Sequence, residues 1–224
     1  MRTAPPAGAL HRAVRYAADE FEKRRSVTRP LDEAWAWREL VGCLIGGASR
    51  YEHAAAASQT ICSSLPAPWT ITARELGTLR SRVERGELPI PTRFPRSHAQ
   101  YILAAIESIY LNGDGLCSLL ADRGAPSVVR ATLVQALQGI GPKQASLLLL
   151  NLGVTDDLAV LDRHILRYMA WVGLRIDEQP PRSLREYEGI EGDFRSHCRR
   201  LGRSMIDVDR AVWLTSRIWG EVVS

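Results

Sequence analysis

Several things are missing from this sequence, and each absence removes a class of protein. Its four cysteines, Cys43, Cys62, Cys117 and Cys198, are scattered, with no Cys-x-x-Cys and no Cys/His spacing. That removes zinc and iron–sulfur signatures and a disulfide framework, and predicts free thiols in a reducing compartment. No apolar run approaches the ~18 residues needed to span a bilayer. The N-terminus sets Arg2 ahead of Pro5-Pro6 instead of the apolar core of a signal peptide. No internal repeat, low-complexity tract or convincing β-strand pattern is present. What remains is a cytoplasmic protein without a membrane partner, of the all-α class.

The composition is ordinary. The chain has 224 residues, 46% hydrophobic and 24% charged, long enough for a substantial core in one or two subdomains. Its net charge of +4 is carried mostly by arginine, whose planar fork contacts phosphate bidentately. The balance permits a polyanionic partner without diagnosing one.

Turn signals divide the chain into helices. Helical spacing of Leu10, Val14, Ala17, Ala18 and Phe21 predicts a first helix from Ala9 to Arg25, after a frayed start. Asp32 is placed to cap a second helix carrying Trp35, Leu40, Val41, Leu44 and Ile45, which Gly46-Gly47 ends. An alanine-rich helix follows over His53 to Ser63, then a polar one over Thr72 to Arg85. Beyond Arg93-Phe94-Pro95, a helix places Ala99, Ile102, Leu103, Ile106 and Ile109 on one face. Asn112-Gly113-Asp114-Gly115 turns the chain into a short helix, Leu116 to Ala121, and a longer one from Ser127. Near the end, helices are predicted from Leu184 to Leu201 and from Asp207 to Trp219.

Between these lies the stretch Gln138 to Val172. Gly139, Ile140 and Gly141 turn the chain, and Pro142 suits the first turn of a new helix. Lys143 sits beside that helix start, ahead of the apolar run Leu147 to Leu150. Asn151 and Gly153 stop the helix. Nineteen residues after the lysine, Asp162 precedes Arg163-His164-Ile165-Leu166 as an N-cap. An amine and a carboxylate thus sit at two helix starts that could face one another. Each alone has a plain meaning, a solvated lysine and a helix cap.

Taken together, GIGPK, the following AS and apolar helix, N-x-G and LDRHIL resemble the helix-hairpin-helix DNA glycosylases. Within these they resemble the compact 8-oxoguanine DNA glycosylase/AP lyases. WRELVGCLIGGASRYEHAAAA is similar to the family's N-terminal helix pair, RFPRSHAQYI to its central segment, and IDVDRAVWLTSRIWGEVV to its closing helix. The resemblance covers residues 31–224. It implies two helical subdomains, 31–115 and 116–224, flanking a DNA- and base-binding cleft within one unit, with residues 1–30 as an extension.

The resemblance also implies chemistry. Lys143 is the expected nucleophile at C1′, forming a Schiff base that permits strand cleavage. A helix N-terminus and an apolar surround both disfavour a charged amine. Asp162 is expected to stabilise the oxocarbenium-like sugar and assist proton transfer. Gly139, Ile140 and Gly141 would bring main-chain N–H groups to a phosphate, with Arg163 and Arg167 contacting the DNA backbone and His164 either touching a phosphate or simply filling the helix surface. Trp213 either stacks on the extruded base, as the resemblance implies, or is a core residue. No metal or cofactor is needed in the reaction, although the hairpin is a place for a structural monovalent cation. The expected partner is double-stranded DNA containing a modified base, bound by a monomer.

The sequence departs from the family in two places. Gly42-Cys43 and Gly46-Gly47-Ala48-Ser49 stand where an aromatic and a polar turn are usual, so Gly42, Gly46 and Gly47 remove side-chain volume beside the expected base pocket. The chain also ends on Ser224 where a terminal lysine usually lines that pocket. The glycines read either as a structural turn or as a pocket widened for a larger base, such as the glycosylated hydroxymethylcytosine of some phage DNA, in an antiviral role. A catalytically silent DNA-binding module is the remaining alternative, and it requires neither Lys143 nor Asp162.

Overall fold

The computed structural model describes residues 7–24, 30–47, 51–87, 90–121 and 124–222. Among them every regular element is a helix, no strand is present, and no helix is long and apolar enough to cross a membrane. The α-helices in order are α1 (Ala7–Lys23), α2 (Glu33–Gly46), α3 (Tyr51–Ser64), α4 (Ala73–Glu84), α5 (Pro95–Ile106), α6 (Leu116–Ala121), α7 (Pro126–Ala136), α8 (Pro142–Asn151), α9 (Arg163–Trp171), α10 (Leu184–Leu201) and α11 (Met205–Val222). A 3₁₀ turn at Pro68–Thr70 and a π-helical turn at Glu107–Leu111 complete the list.

Local chemistry sets many of the boundaries. The Asp32 carboxylate accepts from the Trp35 N–H at 2.8 Å and starts α2. Thr72 and Glu75 form a reciprocal capping box at α4. Proline opens α5, α7 and α8. Gly202, at φ +69, closes α10, a left-handed position that glycine adopts without strain.

The chain forms two compact units, residues 29–154 and residues 1–28 together with 155–224. This differs from a border at 115/116 with residues 1–30 as an extension. The reason is packing at long range: α1 lies along α11, so the N-terminal helix completes the C-terminal unit. Val14 and Ala18 of α1 are wholly buried with Ile165, Tyr168, Phe194, Val208 and Val212. In the other unit, α2 packs on α3, α5, α6 and α8, around a core that includes Leu40, Ile45, Ile102, Leu133 and Leu148.

Candidate active site

Each unit carries one half of the predicted chemistry. In the unit of residues 29–154, the turn between α7 and α8 is fixed by Gly139. Its φ is +88, and a Cβ there would lie 2.6 Å from Cδ2 of Tyr101 on α5. Only glycine fits. Gly141 differs: its φ is −98, and an added Cβ would meet nothing within 4 Å. The side chain of Ile140 is buried and anchors the turn, and its N–H donates to the Leu137 carbonyl at 3.3 Å.

α8 begins with Pro142 and has no side-chain cap. The first N–H groups of such a helix lack intrahelical partners and favour an anion. Lys143 is the second residue of this helix and is half-buried. Its charge reaches Cys43 of α2 electrostatically. Burial pushes the Cys43 thiol up to about 12, Glu39 adds to the rise, and Lys143 works against it. Asn151, at the other end of α8, donates to Glu39 at 2.9 Å.

Gln144 joins this helix start to α2. Its Nε2 donates to the Cys43 carbonyl at 2.7 Å, while its Oε1 is buried with no hydrogen-bond partner among the described residues. The same Nε2 is 3.7 Å from where a Gly46 Cβ would stand and 3.9 Å from that of Gly47. Ala54 also lies 3.7 Å from the Gly46 position, and the Ser58 hydroxyl 4.0 Å from that of Gly42. The volume the glycines release is therefore partly filled by Gln144 and Ala54. Ala48, Ser49 and Ser224 lie outside the described residues.

The second unit carries the carboxylate. Asp162 caps α9 as its sequence position predicts, with Oδ1 accepting from the N–H groups of His164 at 2.7 Å and Ile165 at 3.0 Å. Oδ2 takes no hydrogen bond from the described residues. The plain and functional readings of this aspartate are compatible, because the cap uses only one oxygen. Arg163 is exposed and His164 half-buried, with its Nδ1 enclosed. Burial lowers the His164 imidazole below its usual range; the Asp162 carboxylate opposes this, and Arg163, Arg167 and Arg217 reinforce it. Arg167 pairs with Glu178 at 3.1 Å. Trp213 is half-buried on α11, and the Arg217 guanidinium lies 4.6 Å from its ring centroid. Asp162, His164, Trp213 and Arg217 thus belong to one unit; Lys143, the glycine turn, Gly42, Gly46 and Gly47 belong to the other.

Residues 14–203 match the family model described as 8-oxoguanine DNA glycosylase, Ogg-HhH. The chain belongs to this family. Lys143 and Asp162 fall inside the matched residues, and Trp213 lies beyond them. The chain is similar to the "8-oxoguanine DNA glycosylase/AP lyase" of Korarchaeum cryptofilum, at 29% identity over 87% of this chain and 83% of that one. A stretch 34% identical to the Methanocaldococcus jannaschii enzyme of the same name covers 54% of this chain and 56% of that one. The crystal structure of the M. jannaschii glycosylase has the same fold, with a TM-score of 0.65 at 21% identity over 93% of this chain and 86% of that one. A second structure of it, in complex with 15mer DNA containing 8-oxoguanine, gives a TM-score of 0.64 at 23% identity, over 89% and 87% of the two chains.

Sequence reasoning passed over one signal in this Ogg-HhH chain. Of its 29 basic side chains, only Lys23 and Lys143 are lysines. Lys23 is exposed on α1 and paired with Glu20 at 2.9 Å. Arginine stays protonated and cannot serve as the nucleophile, so counting lysines alone singles out Lys143. Gln144 and Arg217 carried no such mark, since their roles arise from contacts across the fold.

Proposed function

We propose that this protein is a bifunctional DNA glycosylase that removes 8-oxoguanine from double-stranded DNA and cleaves the resulting abasic strand. The observation that carries this is Lys143: a lysine in a chain almost without them, at the uncapped start of the helix after the glycine turn. The Lys143 amine attacks C1′, the N-glycosidic bond breaks, and its electron pair leaves with the base, which takes up a proton. Loss of a proton from nitrogen and opening of the sugar ring give the Schiff base. β-Elimination then expels the 3′ phosphate. Asp162 offsets the positive charge that develops at C1′ and relays protons. The Gly139–Gly141 turn and the start of α8 receive a DNA phosphate, Arg163, His164 and Arg167 contact the backbone, and Trp213 stacks on the base. A monovalent cation at this turn would be held by main-chain carbonyls. The enzyme is proposed to act as a cytoplasmic monomer without a catalytic metal.

Borohydride trapping tests this directly. A covalent protein–DNA adduct is expected with an abasic or lesion duplex, and Lys143→Gln should abolish it while leaving duplex affinity and melting temperature near wild type. No adduct with any such duplex overturns the lyase.

The substrate has a second reading, a bulky base such as glycosylated hydroxymethylcytosine, with an antiviral role. Gly46 and Gly47, which face Gln144 of the Lys143 helix, favour it, while the Gln144 amide in contact with both positions weighs against it and Gly42 faces Ser58 instead. Base release from an 8-oxoguanine:C duplex and from glucosylated phage DNA, measured side by side, separates the two. Lys143 and Asp162 together speak against a silent DNA-binding module, which needs neither.

A further inference from the structure

The segment that delivers Asp162 to α9 belongs to no helix and pairs with no strand, yet Leu158, Ala159, Val160 and Leu161 are all buried. Buried main-chain groups must find partners. Here side chains supply them. Ala159 N–H donates to Glu191 Oε1 at 2.9 Å, Val160 N–H to Asp209 Oδ2 at 2.9 Å, and Leu161 N–H to the Tyr187 hydroxyl at 3.1 Å. The same hydroxyl donates back to the Ala159 carbonyl at 2.7 Å. Arg195 holds the front of the segment, donating to the Asp157 carbonyl at 3.0 Å and to its carboxylate at 2.9 Å.

We infer that Tyr187, Glu191 and Asp209 are positioning residues for the Asp162 carboxylate, acting through the main chain of residues 159–161. The chain arrives at Asp162 through a tight turn in which its N–H reaches the Val160 carbonyl at 2.5 Å. The aspartate is therefore set by wherever Val160 and Leu161 are held. Its side chain is fixed in turn by capping α9 through Oδ1. The three residues come from α10 and α11, helices packed in the same core. None of them takes part in capping α9, so loss of their bonds moves the approach to Asp162 and leaves the helix start intact. Burial pushes the Asp209 carboxyl up to about 7, and the nearby Asp162 carboxylate adds to that rise, which places the two acids within electrostatic reach. In either protonation state Asp209 keeps an oxygen for the Val160 N–H.

The inference rests on the glycosylase reading, and the experiment separates their failures. Tyr187→Phe deletes one oxygen and with it both hydroxyl bonds. Single-turnover release of 8-oxoguanine should slow roughly tenfold to a hundredfold, the scale of a small misplacement of a catalytic group. Affinity for a duplex carrying a tetrahydrofuran abasic analogue should stay within about twofold. Asp209→Asn, which keeps an acceptor, should retain most of the rate, and Asp209→Leu should not. A purely structural role predicts a lowered melting temperature with an unchanged rate in the folded enzyme, and that result overturns the inference. If Tyr187→Phe does not fold, the two Asp209 variants decide it, and equal rates for them overturn it. If wild type shows neither base release nor borohydride trapping, the glycosylase reading itself falls.

Discussion

The two units hold their proposed reactive groups by different means. Lys143 owes the turn before it to chemistry close by in sequence: a glycine at φ +88, a buried isoleucine, a bare glycine and a proline, all within five residues of it. The bond from Gln144 to the Cys43 carbonyl ties its helix start to a distant element. Asp162 owes its helix cap to its immediate neighbours, but the main chain leading to it is held by side chains 26 to 49 residues further along. The first arrangement can be written into a short motif. The second needs most of a folded domain, so damage to it arises far from the site.

The strongest way to break this comparison is to strip Asp162 of charge while sparing its cap. Asp162→Asn keeps an oxygen for the His164 and Ile165 N–H groups, so its melting temperature should stay near wild type, while base release falls about a hundredfold or more. Asp162→Ala should lose the rate and also ~1 kcal/mol of stability in urea unfolding. Equal stabilities would mean the cap contributes nothing.

In the other unit, Gly139→Ala forces a side chain into the Tyr101 ring at a left-handed backbone position. A loss of roughly 2–4 kcal/mol is expected in the same unfolding assay. Gly141→Ala, with open space around its Cβ, should cost under about 1 kcal/mol and show its effect in duplex affinity instead. If the two alanine variants are equally stable, the turn is not locked by Gly139.

The smallest effect concerns pH. The Asp209 carboxyl is raised from 3.8 to about 7, so the folded state holds a proton that the unfolded state releases. Its contribution is complete below about 4 and is lost as pH rises to about 7. His197 runs the other way. Burial, His11 and Arg200 lower it to about 4, so stability is lost as pH falls from 6.5 toward 4. Asp209→Asn removes the first slope, and its melting temperature should climb more steeply than that of wild type between pH 4.5 and 6.5. Parallel curves would show that Asp209 titrates normally.

These contrasts explain what was legible in the sequence. Helix starts at Asp32, Thr72 and Asp162 could be read because a cap is a local event, and Leu116 to Ala121 because glycines precede it. The core face of α5 followed from its spacing. The joining of α1 to the C-terminal unit could not be read, since nothing near residue 14 marks its packing on α11. The π-helical turn at Glu107–Leu111 left no trace in apolar periodicity. The support around residues 159–161 was hidden for the same reason: tyrosine, glutamate and aspartate on two later helices look like ordinary half-buried residues until the chain folds back over them. The Gly42, Gly46 and Gly47 departure was visible, but the Gln144 side chain that partly fills it was not.

A chain with two lysines has two side chains able to form an imine, and Lys23 is tied up at the surface with Glu20. Reductive methylation followed by peptide mass mapping then becomes a census of occupancy. Methylation at Lys23 reports reagent exposure in every sample, and methylation at Lys143 reports whether bound duplex covers the helix start. One label lost on adding lesion DNA would count filled sites, with no need for turnover.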